Sequence, residues 1–171
     1  DTYYVIGHFH YVVAPGTVFA LFAGVYYWFP KATGRKMNET LGKLHFWTSF
    51  IFINGVFMPM FAQGLAGVSR RLYDQTFYSH GAAVQDMTVV ISVSAWLLGL
   101  AQIFFIINFF RSIRHGEPVE DDNPWQATTL EWAAPTPPPH GNFTTTPQVY
   151  RGPYEYSTPG APADFSPQNQ A

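Results

Sequence analysis

Three long stretches without a formally charged side chain constrain the fold more than any other feature of this sequence. They cover residues 2–30, 44–69 and 87–110. Each exceeds the roughly 20 residues that an α-helix needs to cross a hydrocarbon core of about 30 Å. A domain of this size could not bury three helices that are apolar around their whole circumference. We therefore predict an all-α membrane protein, with transmembrane helices at about residues 2–30, 44–66 and 86–112.

Composition divides the 171 residues into two parts. Residues 1–115 are apolar and aromatic, whereas residues 116–171 hold eleven of the 14 prolines and have too little apolar surface for a core. The second part therefore predicts an extended, proline-rich tail. A net charge of −2 argues against a nucleic-acid partner. The absence of cysteine excludes disulfides and thiolate metal sites.

Basic residues predict how the helices are oriented. The loop at 31–43 and the start of the tail share one side and carry six Lys and Arg residues close to the spans. The other side carries two, Arg70 and Arg71. The positive-inside rule therefore places the tail in the cytoplasm. It places the N-terminal end of the first helix, with both of these arginines, toward the outer surface.

Two histidines, His8 and His10, lie near the start of the first predicted helix. Residues two apart on an α-helix point about 200° apart around its axis, so their rings face nearly opposite sides. One pocket could not use both rings, whereas two cofactors could, with Phe9 between them. An ionisable or ligating side chain within a span is costly to bury and indicates a functional site. A single histidine could equally be an interhelical hydrogen-bonding group.

The segment Asp1-Thr-Tyr-Tyr-Val-x-x-His8-Phe9-His10-Tyr-Val12 strongly resembles the tenth transmembrane helix of subunit I of the haem–copper oxidases, of cytochrome c oxidase type. The resemblance implies that His8 is the proximal ligand of a high-spin haem and that His10 is an axial ligand of a low-spin haem. It implies that Phe9 packs between the haems and that Asp1 is a ligand of a magnesium ion. The three helices would then be the last three of a twelve-helix bundle.

Two later segments extend the resemblance. Gly64-Leu-x-Gly-x-x-Arg70-Arg71-x-x-Asp74 is similar to the family sequence after its eleventh helix, which implies that Arg70 and Arg71 bind haem propionates. Planar, permanently charged guanidinium groups suit carboxylates, although a bare arginine pair could simply be a solvated anchor. Tail residues 123–143 are similar to the family's C-terminal signature, which lies over the cytoplasmic surface.

The resemblance implies a terminal respiratory oxidase of the bacterial or, as a less favoured alternative, the mitochondrial inner membrane. Electrons from cytochrome c would pass through the low-spin haem to a high-spin haem and copper centre, which reduces dioxygen to water with proton pumping. The cofactors would be two haems of type A, copper bound outside this segment and magnesium. The partners would be the rest of subunit I, oxidase subunits II and III, cytochrome c and membrane lipid. The chain would be the C-terminal part of the subunit.

Two alternatives stay open on the sequence alone. A quinol-oxidising haem–copper oxidase would share the histidine-bearing helix. A non-catalytic membrane anchor would use His8 and His10 only as hydrogen-bonding groups.

Prolines and polar side chains within the spans predict local features. Pro15 lacks an amide hydrogen and crowds the Tyr11 carbonyl, so we expect a kink there, and a bend at Pro59. We expect His45 to lie at the membrane interface and Asn54 to contact another helix. Contacts between helices are also expected at four positions of the third span: Ser92, Ser94, Gly99 and Gln102.

Overall fold

The structure, a computed structural model, describes residues 1–79, 81–153, 155, 159–160 and 166–171. The regular structure of these residues is helical, and pairing between extended segments is limited to two isolated β-bridges. Three segments are long and apolar enough to cross a membrane, namely Tyr3–Thr33, Glu39–Leu65 and Ala83–His115. The predicted all-α fold with three membrane spans is confirmed.

The first span is not one uniform helix. Helix α1 (Tyr3–Val13) is followed by a π-helical stretch over Ala14–Phe19, and helix α2 (Ala20–Thr33) completes the span. The second and third spans are the single helices α3 (Glu39–Leu65) and α4 (Gly81–His115).

The helices extend beyond most of the predicted limits. Helix α2 ends at Thr33 rather than at residue 30, α3 begins at Glu39 rather than at residue 44, and α4 covers Gly81–His115 rather than 86–112. Absence of charge marks where a helix crosses hydrocarbon, whereas capping groups decide where it ends. The Asn38 side chain accepts a hydrogen bond of 2.9 Å from the Leu41 amide and caps the start of α3.

The irregularity expected at Pro15 takes the form of the π-helical stretch. Proline has no amide hydrogen for the i→i−4 ladder and its ring crowds the carbonyl one turn earlier. Widening the turn accommodates this defect before the α-helix resumes at Ala20. Pro59, in contrast, lies inside α3, and the helix continues on both sides of it.

The contacts divide the chain into two compact units, and the first consists of Asp1–Val25 with Asn38–Phe110. Within this unit, α1 packs closely along α3 through glycines. A Cβ atom on Gly7 would lie 3.2 Å from the Phe57 carbonyl oxygen. A Cβ atom on Gly64 would collide with the Tyr4 backbone. Small residues let helix backbones approach in this way.

Polar side chains join α3 to α4. The His45 ring is buried, with its Nε2 atom 3.0 Å from Gln102 Oε1, so this histidine contacts another helix. Its expected position at the membrane interface stays a prediction. Asn108 exchanges two hydrogen bonds with the Asn38 backbone. The expected helix contacts are confirmed for Gln102 and for Ser94, which faces Gly55.

The expected contacts of Ser92 and Gly99 stay predictions. Ser92 is exposed and its hydroxyl donates to the Thr88 carbonyl of its own helix, while no atom of another element lies within 4 Å of a Cβ built on Gly99. Both residues lie on helix faces that nothing in the described chain covers.

The second unit consists of Tyr26–Met37 with Arg111–Ala171. Its described tail residues are mostly irregular, with one short 3₁₀ helix at Leu130–Ala133. Lys31, only 5% exposed, donates to the Asp122 and Ala134 carbonyl oxygens and to the Thr136 hydroxyl. The tail is therefore held by backbone contacts as well as by aromatic packing.

Aromatic side chains complete this second unit. Trp132 is 1% exposed and its ring stacks on Trp28, with the centroids 5.1 Å apart. Trp125 stacks on Tyr27, and its indole nitrogen donates a 2.9 Å hydrogen bond to the Tyr27 carbonyl oxygen.

Candidate functional site

Two contacts fix the His10 ring. Its Nδ1 atom lies 2.8 Å from the Ile6 carbonyl oxygen, which can only accept, so Nδ1 carries the proton of this hydrogen bond. The ring lies parallel to Phe57 of α3, with centroids 4.6 Å apart and an interplanar angle of 12°. A neutral imidazole held in this way presents the lone pair of Nε2, the form in which histidine binds a metal ion.

His8 has different surroundings. It lies in the same helix as His10, about 200° around the axis, and its side chain is exposed. Helix α3 therefore covers the His10 side of α1 and leaves the His8 side open. The two rings are available on two separate faces, as two separate ligands require.

Phe9 follows His8 and precedes His10. Its ring centroid lies 4.2 Å from that of His10, with the planes tilted by 32°, and the side chain is 42% exposed. A large exposed apolar ring beside the His10 imidazole offers a packing surface for a flat apolar group.

Asp1 and Arg70 meet beside the start of α1. The Tyr3 amide donates to the Val68 carbonyl oxygen over 3.0 Å, and the Arg70 amide donates to the Asp1 carbonyl oxygen over 3.3 Å. These contacts bring Arg70 Nε to 2.6 Å from Asp1 Oδ1, in an ion pair without hydrogen-bond geometry.

Arg71 is exposed and follows Arg70 in the same loop. Both guanidinium groups thus belong to the loop that is hydrogen-bonded to the beginning of the histidine-bearing helix. Among the described residues, no group of three or more His, Cys, Asp or Glu side chains could hold a metal ion.

Comparison with known proteins assigns the chain to a family. The family model for cytochrome c and quinol oxidase polypeptide I matches residues 1–97. This range includes His8, His10, Arg70 and Arg71. The chain belongs to this oxidase polypeptide I family.

Similar proteins cover nearly the whole chain. An alternative cytochrome c oxidase subunit 1 of Bradyrhizobium diazoefficiens is 45% identical over 99% of this chain. A cytochrome c oxidase subunit 1 of Synechocystis is 48% identical over 91% of it, and one of Corynebacterium diphtheriae is 44% identical over 87%. The chain spans 29%, 27% and 26% of the lengths of these relatives, so it corresponds to a minor part of an oxidase polypeptide I.

Sequence reasoning missed two residues that the structure makes prominent. Phe57 is separated by 47 positions from His10, whose ring it stacks on, and no local pattern links the two. Lys31 belongs to the basic loop that predicts the membrane orientation, yet it is buried among tail carbonyl groups. Its hydrogen-bond partners lie 91 to 105 positions away, so the local sequence offered no signal of its burial.

Proposed function

We propose that this chain is the C-terminal part of the catalytic subunit of a cytochrome c oxidase and that it provides one axial ligand to each of two haems. The observation that carries the proposal is the hydrogen bond between the His10 ring and the Ile6 carbonyl. The Nδ1 proton of the ring is donated to the Ile6 carbonyl, so Nε2 is left as the ligating atom. The exposed His8 ring on the opposite face supports a second, separate ligand role.

The two haems and an associated copper ion would supply electron transfer and the reduction of dioxygen to water, coupled to proton pumping. The residues of this chain would hold these groups in place. His8 would bind the iron of the high-spin haem, and His10 the iron of the low-spin haem. Phe9 would pack between the haems, and its exposed ring beside His10 supports that role.

Arg70 and Arg71 would bind haem propionates. The contact between Arg70 Nε and the Asp1 carboxylate supports this role, because the same guanidinium group already pairs with a carboxylate. Arg71 is exposed at the adjacent position and could bind a second one. Asp1 would be a magnesium ligand only with further ligands from outside the described residues, since it has no His, Cys, Asp or Glu cluster around it.

The missing parts of the centre would come from the rest of subunit I. These parts are the copper ligands and the second axial ligand of the low-spin haem. Oxidase subunits II and III, cytochrome c and membrane lipid would be the partners. The complex would lie in a bacterial inner membrane, with the tail of this chain on the cytoplasmic side, as the bias in Lys and Arg predicts.

Optical and EPR spectra of the purified complex test the ligand roles. His8→Ala is expected to remove the high-spin haem signal and His10→Ala the low-spin signal. His45→Asn is the matched control, because His45 is a buried histidine of a neighbouring span that contacts Gln102. The control should retain both signals. Unchanged spectra in both alanine variants would instead favour a non-catalytic membrane anchor.

A quinol oxidase is the second candidate, because the matching family model covers both cytochrome c and quinol oxidases. Steady-state oxygen consumption of the purified complex with each donor separates the two. Turnover with reduced cytochrome c supports the proposed function, and turnover with quinol alone supports the alternative.

A further inference from the structure

The plane of the His10 imidazole is set by a residue from another helix. The Ile6 carbonyl fixes the Nδ1 edge of the ring. One hydrogen bond still permits the ring to rotate by some degrees about the Cβ–Cγ bond. Phe57 removes this freedom, because its ring lies 4.6 Å from the imidazole and within 12° of parallel. Phe9, on the same helix as His10, is tilted by 32° and provides a less parallel contact.

Close packing of the helices allows this stack to form. Gly7 is buried, and a Cβ atom on it would lie 3.2 Å from the Phe57 carbonyl oxygen and 3.4 Å from Met60 Cβ. A glycine three residues before His10 therefore brings α1 against the backbone of α3 at Phe57 itself. A larger residue there would push the two rings apart.

A second contact fixes the rotation of α1 about its own axis. The Tyr11 hydroxyl donates a 2.6 Å hydrogen bond to Asn54 Oδ1 of α3. Tyr11 directly follows His10, and Asn54 lies three residues before Phe57. Rotation of α1 would break this bond and slide His10 along the Phe57 ring. The stack is thus held in both distance and register.

We propose that Phe57 is a positioning residue that sets the plane of the His10 imidazole and thereby the electronic state of the iron bound at Nε2. The proposal rests on the proposed function of His10 as an axial ligand. The orientation of an axial imidazole plane determines which iron d orbitals it overlaps. That orientation therefore affects the g values of the ferric low-spin haem, and residues around an axial ligand tune its reduction potential.

The test uses the complete oxidase complex with substitutions at Phe57. Phe57→Leu keeps an apolar side chain but removes the flat ring, and it is expected to shift the low-spin g values and the reduction potential while the haem content is retained. Phe57→Tyr keeps the ring and is expected to retain the wild-type g values and reduction potential. Phe46→Leu is the matched control, because Phe46 is a half-exposed phenylalanine of the same helix whose ring contacts are with Trp47 and Phe50. It is expected to leave the g values unchanged.

A second variant tests the same relationship if Phe57→Leu does not assemble. Gly7→Ala adds one methyl group between the helices and is expected to shift the g values in the same direction. Wild-type g values in Phe57→Leu, or in Gly7→Ala when only that variant assembles, would overturn the proposal. Failure of the ligand assignment is distinguishable, because His10→Ala would then retain the low-spin signal.

Discussion

The ammonium group of Lys31 lies 2.5 Å from the backbone carbonyl oxygen of Ala134, 103 residues further along the chain. The Asp122 carbonyl and the Thr136 hydroxyl accept from the same group, and its nitrogen lies 5.4 Å from the centroid of the Trp132 ring. One buried cation thus satisfies acceptors from three positions of an otherwise irregular tail. Such a contact is expected to order this segment.

Lys31→Met tests that role. The methionine keeps much of the apolar volume but removes the donor to the buried Ala134 carbonyl. It also removes one of the two donors to the Asp122 carbonyl, which still accepts from the Thr136 hydroxyl. Each buried acceptor that loses its partner costs about 1–3 kcal/mol. We expect faster amide hydrogen exchange across residues 122–136. Lys36→Met is the control, since the Lys36 side chain is exposed, and equal exchange rates in the two variants would contradict the prediction.

The contact between Tyr11 and Asn54 is expected to stabilise the packing of α1 on α3. Interhelical hydrogen bonds in membrane proteins contribute about 0.6 kcal/mol on average and up to about 1.7 kcal/mol. At 2.6 Å this bond is short, so we expect a coupling in the upper part of that range. A double-mutant cycle of Tyr11→Phe and Asn54→Leu, measured by unfolding in bicelles, gives the value. Additive single effects would show that the two residues are not coupled.

Gly64→Ala is expected to be strongly destabilising. The added methyl group would collide with backbone atoms of Tyr4, which cannot move aside as a flexible side chain could. Overpacking of this kind costs about 1–3 kcal/mol. Gly99→Ala is the matched control, because open space surrounds that position and the helix itself favours alanine. The free energies of unfolding of the two variants should differ by more than 1 kcal/mol, and similar values would argue against close packing at Gly64.

Substitution of Arg70 and Arg71 is expected to lower the reduction potential of the low-spin haem. A fixed positive charge beside a haem favours the reduced state, so its removal lowers the potential, and about 60 mV corresponds to 1.4 kcal/mol for one electron. Redox titration of Arg70→Ala, Arg71→Ala and the double variant measures the change. Asp1→Asn is the control for the ion pair between Arg70 and Asp1. An unaltered potential in the double variant would exclude the propionate role.

The loop after α3 has an acid-sensitive turn at Asp74. Hydrogen bonds from the Thr76 hydroxyl and amide hold the pKa of the Asp74 carboxyl below its usual value of 3.8. The charged carboxylate therefore stabilises the turn above the usual pKa, and this contribution is lost as the pH falls through the lowered value. Amide exchange at Thr76 should accelerate, relative to the intrinsic rate, only in that acidic range. Asp74→Asn should remove the pH dependence.

The local sequence was sufficient to predict the number of spans. It was also sufficient to predict that the two histidines lie on different faces of one helix. Both follow from properties that a helix fixes by itself, namely the length of an apolar run and an angle of 100° per residue. The ends of α3 and α4 were not predictable from charge, because capping by Asn38 and continuation past the apolar window set them. The Phe57 stack and the burial of Lys31 depend on contacts over 47 and about 100 positions, for which one sequence contains no local signal.

The π-helical stretch at Ala14–Phe19 separates the first span into two segments whose side chains follow different angular phases. A widened turn offsets the direction of every later residue relative to an unbroken α-helix. The segment that carries His8 and His10 keeps its alignment with α3 through Gly7 and Tyr11, independently of how α2 is packed. The direction of the two imidazoles is therefore set by the contacts of the first segment with α3, and not by the angular phase of the side chains in α2.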